Sequence, residues 1–115
     1  MKKVYFLKTC DTCQRILKEV PTDDFVRQEI KSTPVNSAQL EEMYQLSGSY
    51  KALFNTRARL CKTLDLKNKK VTEADYKKYI LEEYTFLKRP VFIVDAAIFI
   101  GNSAKVVAAL KLELT

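Results

Sequence analysis

Two cysteines separated by two residues, Cys10 and Cys13, are the residues whose type and spacing most clearly allow chemistry. They follow an apolar run and begin a helix-like stretch, so Cys10 is expected at the N-cap and Cys13 one turn further on. A sulfur at an N-cap faces unpaired backbone N–H groups and the positive end of the helix dipole, and both lower its pKa. We therefore predict a reactive thiolate at Cys10, helped by the nearby Lys8, with Cys13 resolving a mixed disulfide.

The second cysteine also has a purely structural interpretation. Cys13 begins an apolar helical stripe that continues through Ile16, Leu17 and Val20, so it could instead be a small buried core residue. Cys10 lies off this stripe at the helix start, where a structural cysteine has no evident use.

The sequence contains no histidine, which restricts the chemistry of the cysteines. A Cys–His or Ser–His catalytic pair is excluded, so any thiolate must be stabilised by the helix terminus and by cations. A zinc site is disfavoured because Cys61 is the one further cysteine. Cys61 is expected to be structural, with a role as an alternative resolving thiol left open.

Composition indicates an ordinary globular protein of 115 residues, with 47% hydrophobic and 30% charged residues. A net charge of +6 could favour anionic substrates, or could simply reflect a solvated lysine-rich surface. The basic residues are spread along the chain, so no direct nucleic-acid binding is expected. The apolar run Val4–Leu7 is too short for a signal peptide, and no stretch approaches a membrane span. We expect a cytoplasmic protein without a membrane partner, in which paired cysteines more often serve redox chemistry than structure.

The elements that position the cysteines are predicted to form a βαβ unit. An apolar strand covers Val4–Leu7, an amphipathic helix runs from Asp11 until Pro21 ends it, and a second strand covers Phe25–Ile30. Three such elements within thirty residues imply parallel pairing of the strands through a right-handed crossover.

The middle of the chain is predicted to be a helical insertion. Asn36 with Gln39 matches a capping box, and the helix that follows should end near Gly48. Thr72 with Asp75 marks the start of another helix. Between these helices, residues 50–55 are predicted to form a short helix, whereas residues 57–64 give no clear pattern.

The end of the chain is predicted to form a hairpin and a last helix. The apolar runs Val91–Val94 and Ile98–Ile100 follow Pro90 and are separated by three residues, and Ser103 can cap the helix that comes next. The element order is therefore βαβ, helical insertion, ββα. It predicts an α/β fold of thioredoxin-like type, with a four-stranded mixed sheet, in a single domain of residues 1–115 with the insertion at about 36–88.

Three segments of the sequence resemble the arsenate reductase (ArsC)/Spx family. They are Tyr5-x4-Cys10-Asp11-Thr12-Cys13 followed by Arg15, then Leu53-Phe54-Asn55-Thr56-Arg57 with Leu64-Asp65-Leu66, and finally Leu87-Lys88-Arg89-Pro90-Val91. The segments occur in the family's order and, with Gly101 and the closing helix, cover essentially the whole chain. The Cys-x-x-Cys motif alone would be weak evidence for this resemblance, but the three segments together are specific to the family.

The resemblance implies a thioredoxin-like fold with a helical insertion and a first cysteine that attacks arsenate or is otherwise redox-active. Glutathione with glutaredoxin, or thioredoxin, would supply electrons, and no bound cofactor is expected. Arg89 would bind the oxyanion, because its planar guanidinium can donate two parallel hydrogen bonds. The alternative is that Arg89 forms a surface ion pair. Pro90 would be a cis-proline, and Thr12 belongs to the cysteine motif at the same site.

The sequence departs from both branches of that family. The glutaredoxin-coupled reductases bind the oxyanion with three arginines, and two of these positions align near Asn55 and Gly101 in this sequence. Arg57 lies where the Spx-like branch has its arginine and could substitute. Those reductases generally lack a cysteine at the position of Cys13. Spx-like regulators bind RNA polymerase through a glycine that falls at Ser49. We therefore predict a thiol-dependent reductase of arsenate or a related oxyanion or disulfide; the alternative is an Spx-like redox-switched transcriptional regulator that binds RNA polymerase.

Overall fold

In the computed structural model, which describes residues 1–115 except the side chain of Lys67, the chain divides into two units. The first comprises residues 1–34 and 89–115, and the second comprises residues 35–88. The helical insertion was predicted at about 36–88, and the organisation of the chain as a single domain stays a prediction. In chain order the strands and α-helices are β1 (Lys2–Phe6), α1 (Asp11–Glu19), β2 (Val26–Glu29), α2 (Ser37–Ser47), α3 (Arg59–Thr63), α4 (Glu73–Glu82), β3 (Val91–Val94), β4 (Ala97–Ile100) and α5 (Ala104–Glu113).

A four-stranded mixed sheet with strand order β2-β1-β3-β4 is the framework of the first unit. Strand β1 pairs in parallel with β2 and antiparallel with β3, and β3 pairs antiparallel with β4. The predicted α/β class, the parallel βαβ unit and the C-terminal hairpin are thus confirmed. In the register of β1 and β3, Tyr5 lies opposite Val91, so β3 begins beside the end of β1.

Helices α1 and α5 share one hydrophobic core with the sheet. The α1 sequence places its apolar residues on one face, and Cys13, Ile16 and Leu17 are buried there. The predicted apolar stripe that includes Cys13 is therefore confirmed. Burial of such side chains contributes about 1.5–3 kcal/mol each, which anchors α1 against the sheet. One cluster of buried residues in this core comprises Val4, Ile16, Leu17, Val20, Phe25, Phe92, Val94, Val107 and Leu110.

Capping residues set the helix boundaries of the second unit as predicted. Asn36 and Thr72 each form a complete capping box, with Gln39 and Asp75 respectively. Helix α2 ends at Gly48, whose φ of 81° is the left-handed conformation that glycine adopts without strain. Stacked and tilted aromatic rings then fill part of this unit's interior, and the ring contacts join Phe54, Tyr76, Tyr79 and Phe86.

Several bounds differ from the prediction: β1 covers Lys2–Phe6 rather than Val4–Leu7, β2 is shorter than Phe25–Ile30, and two short segments differ in kind or length. The short helix predicted over residues 50–55 is one 3₁₀ turn, Lys51–Leu53, because Phe54 turns to extended backbone and bridges Leu87. The hairpin gap predicted at three residues contains two, because Ala97 pairs with Val94 and extends β4. Among the described residues, none of the helices is long and apolar enough to cross a membrane.

Candidate active site

Cys10 is the N-cap residue of α1, as the sequence predicted. The chain leaves β1 at Phe6 and turns so that the Cys10 amide donates to the Leu7 carbonyl at 3.1 Å. The Cys10 carbonyl then accepts from the Gln14 amide at 3.1 Å, which starts the helix. Its sulfur accepts a hydrogen bond from the Cys13 amide at 3.4 Å. The thiol thus takes the place that a serine or aspartate oxygen usually has at an N-cap.

The pKa of the Cys10 thiol lies below its usual value, although partial burial acts to raise it. The amide and thiol of Cys13, together with the charge and hydrogen bonding of the Arg89 guanidinium, outweigh that burial. Each of these groups favours the thiolate because it donates a hydrogen bond or carries positive charge. The cation that acts on the sulfur is Arg89, and the predicted contribution of the Lys8 side chain stays a prediction.

Cys13 is fully buried, and its environment has the opposite effect on its thiol. Burial is the main cause that raises the pKa of Cys13 to about 12; the neighbouring Cys10 thiol acts in the same direction, while a hydrogen bond to the Leu7 backbone and the charge of Arg89 oppose the rise. Both cysteines are free thiols, so the predicted disulfide between them stays a prediction. The pair is asymmetric, because the pKa of the Cys10 thiol is lowered and the pKa of the Cys13 thiol is raised.

Arg89 lies beside Cys10 because of the strand register. Since Val91 pairs with Tyr5, the residues that precede β3 meet the loop that follows β1. The Arg89–Pro90 peptide bond is cis, as the resemblance implied. The Nε and Nη1 atoms of Arg89 are buried and have no hydrogen-bond partner within the described residues. Buried donors of this kind normally have an acceptor, so they suit an anion held next to the Cys10 sulfur.

The remaining predicted residues of the first unit lie on the same loop and helix start. Lys8 has an exposed side chain and Thr12 is half-buried in the first turn of α1. Pro90 is buried immediately before β3. The structure thus brings together Cys10, Cys13 and Arg89, while the roles of Lys8 and Thr12 stay predictions.

Arg57 and Cys61 belong to the second unit. Arg57 is exposed, and its amide donates to the Asn55 side chain at 3.1 Å. The half-buried Cys61 thiol donates to the Asn55 carbonyl at 3.6 Å, and burial raises its pKa. The predicted part of Arg57 in oxyanion binding, and both interpretations of Cys61, stay predictions. Within the part of the chain that the structure describes, no group of three or more metal-ligating side chains could hold a metal ion.

Two residues near the cysteines were missed by the sequence analysis. Glu29 at the end of β2 accepts a hydrogen bond from the Lys8 amide at 2.9 Å, and Gln14 donates to the Lys8 carbonyl at 3.1 Å. Glu29 is distant in sequence from the loop that it contacts, so no local pattern marks it. Gln14 follows Cys13 directly, but its type alone indicates a solvated helix position.

Comparison with known proteins gives the family and the fold of the chain. A model of the ArsC family matches residues 5–110. A solved protein from Bacteroides fragilis, described as related to the ArsC family, has 23% identity over 96% of this chain and 97% of its own, with a TM-score of 0.79. An arsenate reductase from Vibrio cholerae has 15% identity over 99% and 97%, with a TM-score of 0.78. A protein from Brucella melitensis related to arsenate reductase (ArsC) has 19% identity over 94% and 92%, with a TM-score of 0.71.

At these identities the solved structures establish the fold, which is thioredoxin-like with a helical insertion. Among the curated proteins, none matches this chain in sequence.

Proposed function

This chain belongs to the ArsC family, and we propose that it is a thiol-dependent reductase with Cys10 as its nucleophile. The observation that carries the proposal is the contact between Cys10 and Arg89. It pairs a thiol of lowered pKa with a guanidinium that has two buried nitrogens without a hydrogen-bond partner among the described residues. We propose arsenate or a related oxyanion as substrate, because a planar guanidinium donates two parallel hydrogen bonds to such an anion.

The first step would be attack of the Cys10 thiolate on the arsenic atom. A sulfur–arsenic bond forms, and one arsenate oxygen leaves as water after protonation from solvent. Arg89 would hold the remaining oxygens and offset their negative charge, which grows as the thiolate approaches. The pairing of β3 with β1, which begins two residues later at Val91, places the arginine backbone there.

The second step would be attack of Cys13 on the Cys10 sulfur. A disulfide forms, the sulfur–arsenic electron pair passes to arsenic, and As(V) becomes As(III) as the oxyanion takes up protons from solvent. Cys13 must lose its proton first, although burial and the Cys10 thiol raise its pKa to about 12. Once Cys10 is covalently bound it carries no thiolate charge, so one cause of the raised Cys13 pKa disappears. Cys13 therefore loses its proton more readily after Cys10 has bound arsenic than before, so attack by Cys10 comes first.

The cycle requires two electrons from outside the chain to reduce the Cys10–Cys13 disulfide. Glutathione with glutaredoxin, or thioredoxin, is the class of donor that we propose. The test is arsenate turnover by the fully reduced protein with each donor system in turn. We expect arsenate turnover with at least one of the two donor systems. The Cys10→Ser variant should lose this turnover, and the Cys61→Ser variant should retain it. A folded, reduced protein inactive with both donors would exclude arsenate as substrate.

A second candidate is an Spx-like redox-switched regulator that contacts RNA polymerase, and the presence of Cys13 beside Cys10 favours it. Oxidation of the pair would then change a binding surface. A pull-down of RNA polymerase with reduced and oxidised protein separates the candidates. Capture that depends on redox state would favour the regulator, whereas equal failure in both states would exclude it.

A further inference from the structure

The backbone of Lys8, in the loop between β1 and Cys10, is held on both sides of its Cα atom. Its amide donates to the Glu29 carboxylate at 2.9 Å, and its carbonyl accepts from the Gln14 side-chain amide at 3.1 Å. Glu29 reaches the loop from the end of β2, while Gln14 reaches it from the first turns of α1. The backbone of one residue thus ties together the strand, the loop and the helix around Cys10.

The Glu29 carboxylate is itself held firmly in place. Its second oxygen accepts from the Lys31 amide at 3.1 Å, from the Ser32 amide at 2.8 Å and from the Ser32 hydroxyl at 2.9 Å. A carboxylate with this many donors stays ionised and in one orientation, since each bond is charge-assisted. The bond to Lys8 is the one that connects Glu29 to the cysteine loop, and the other three remain within its own turn.

We infer that Glu29 and Gln14 are positioning residues that hold the Lys8 backbone so that the Cys10 sulfur stays at the N-terminus of α1. This inference rests on the proposed function, in which Cys10 is the nucleophile. The Cys13 amide donates to the sulfur at 3.4 Å, and the contacts of Glu29 and Gln14 restrain the loop on the other side of Cys10. Loosening Lys8 lets the sulfur move away from the Cys13 amide and from Arg89, and its thiolate loses their stabilisation.

The sign of the effect distinguishes positioning from simple electrostatics. Glu29 is an anion, so its removal would by charge alone favour the Cys10 thiolate and lower the Cys10 pKa. Loss of positioning acts in the opposite direction and raises that pKa. Gln14 is neutral, so its replacement by alanine changes no charge and reports the positional effect alone.

The experiment measures the pH dependence of Cys10 alkylation by iodoacetamide, quantified by mass spectrometry of the Cys10 peptide. We expect Glu29→Ala and Gln14→Ala each to raise the Cys10 pKa, with alkylation about threefold to tenfold slower at a pH below the wild-type value, since rate follows the thiolate fraction. The variant with both Glu29→Ala and Gln14→Ala should be alkylated little more slowly than either single variant, because both residues hold the backbone of Lys8.

Matched controls make the same chemical changes elsewhere. Glu113→Ala removes a charge from the exposed end of α5, and Gln45→Ala removes a helical glutamine in the second unit. Both should leave Cys10 alkylation unchanged. An unchanged or lowered Cys10 pKa in folded Gln14→Ala would overturn the inference, even if Glu29→Ala does not fold. Failure of the proposed function looks different, because the wild-type protein would then lack arsenate turnover while its alkylation profile still responded to these variants.

Discussion

The amide of Cys13 donates to the sulfur of Cys10 at 3.4 Å, while the Cys13 thiol is fully buried one helical turn away. The backbone of the second cysteine thus stabilises the thiolate of the first. Burial raises the pKa of the Cys13 thiol itself to about 12. One residue therefore serves the site in two ways, and substitution can separate its backbone from its side chain.

Cys13→Ser should keep Cys10 reactive but prevent resolution of its adducts. Serine retains the amide and offers a hydroxyl in place of the thiol, so the Cys10 pKa should stay low. After treatment with oxidised glutathione, we expect a stable Cys10–glutathione adduct by intact mass spectrometry, where the wild-type protein proceeds to an internal disulfide. Cys61→Ser should behave like wild type. If the Cys10–glutathione adduct is still resolved in Cys13→Ser but persists when Cys61→Ser is added to that variant, Cys61 is the resolving thiol instead.

Arg89→Lys should weaken oxyanion binding more than it changes the reactivity of Cys10. Lysine keeps the positive charge beside the sulfur but lacks the planar fork. We expect KM for arsenate to rise about tenfold to hundredfold, since a hydrogen bond to a charged group contributes about 1.5–3 kcal/mol. Arg89→Ala should in addition raise the Cys10 pKa, as measured by the pH profile of alkylation. The exposed Arg59→Ala is the matched control, and an equal effect there would refute a specific role for Arg89.

Alkaline pH should destabilise the wild-type protein through Cys13. The folded-state pKa of Cys13 is raised to about 12, so its contribution to stability is complete below the unfolded value of about 8.5 and is lost as pH rises towards the folded value. The free energy of unfolding should fall by up to about 1.4 kcal/mol per pH unit in that window. Urea unfolding at pH 8 and 9.5 should show a steeper loss for wild type than for Cys13→Ser, which has no thiol there to ionise. Equal slopes would contradict the buried, protonated state of Cys13.

Asn36→Ala should destabilise α2 and thereby the chain. Its side chain accepts from the Gln39 amide at 2.8 Å, and loss of an N-cap oxygen costs about 1 kcal/mol. Asn36→Ser retains a capping oxygen and should lower the free energy of unfolding by only a few tenths of that amount. Urea denaturation of the three proteins measures the difference, and an alanine variant as stable as the serine variant would show that the capping box contributes nothing.

Local signals explain which elements were predicted correctly. The capping boxes at Asn36 and Thr72 and the N-cap at Cys10 each depend on residues three apart, which the sequence displays directly. The 3₁₀ turn after Tyr50 and the short α3 were not resolved, because segments of three to five residues carry too little periodicity. The hairpin was found, but its turn was one residue too long because the small Ala97 gives no strand signal.

The sequence by itself determined that a thiol begins α1 and that Cys13 lies on its buried stripe, because N-caps and helical faces are set by neighbours within one turn. Only the tertiary structure decided which cation lies beside that thiol. Arg89 reaches Cys10 because β3 pairs antiparallel with β1, which brings the start of one strand to the end of the other. The contact of Glu29 with Lys8 arises in the same way, from the parallel pairing of β2 with β1. Strand register is a long-range property, and the chemistry of this site depends on it.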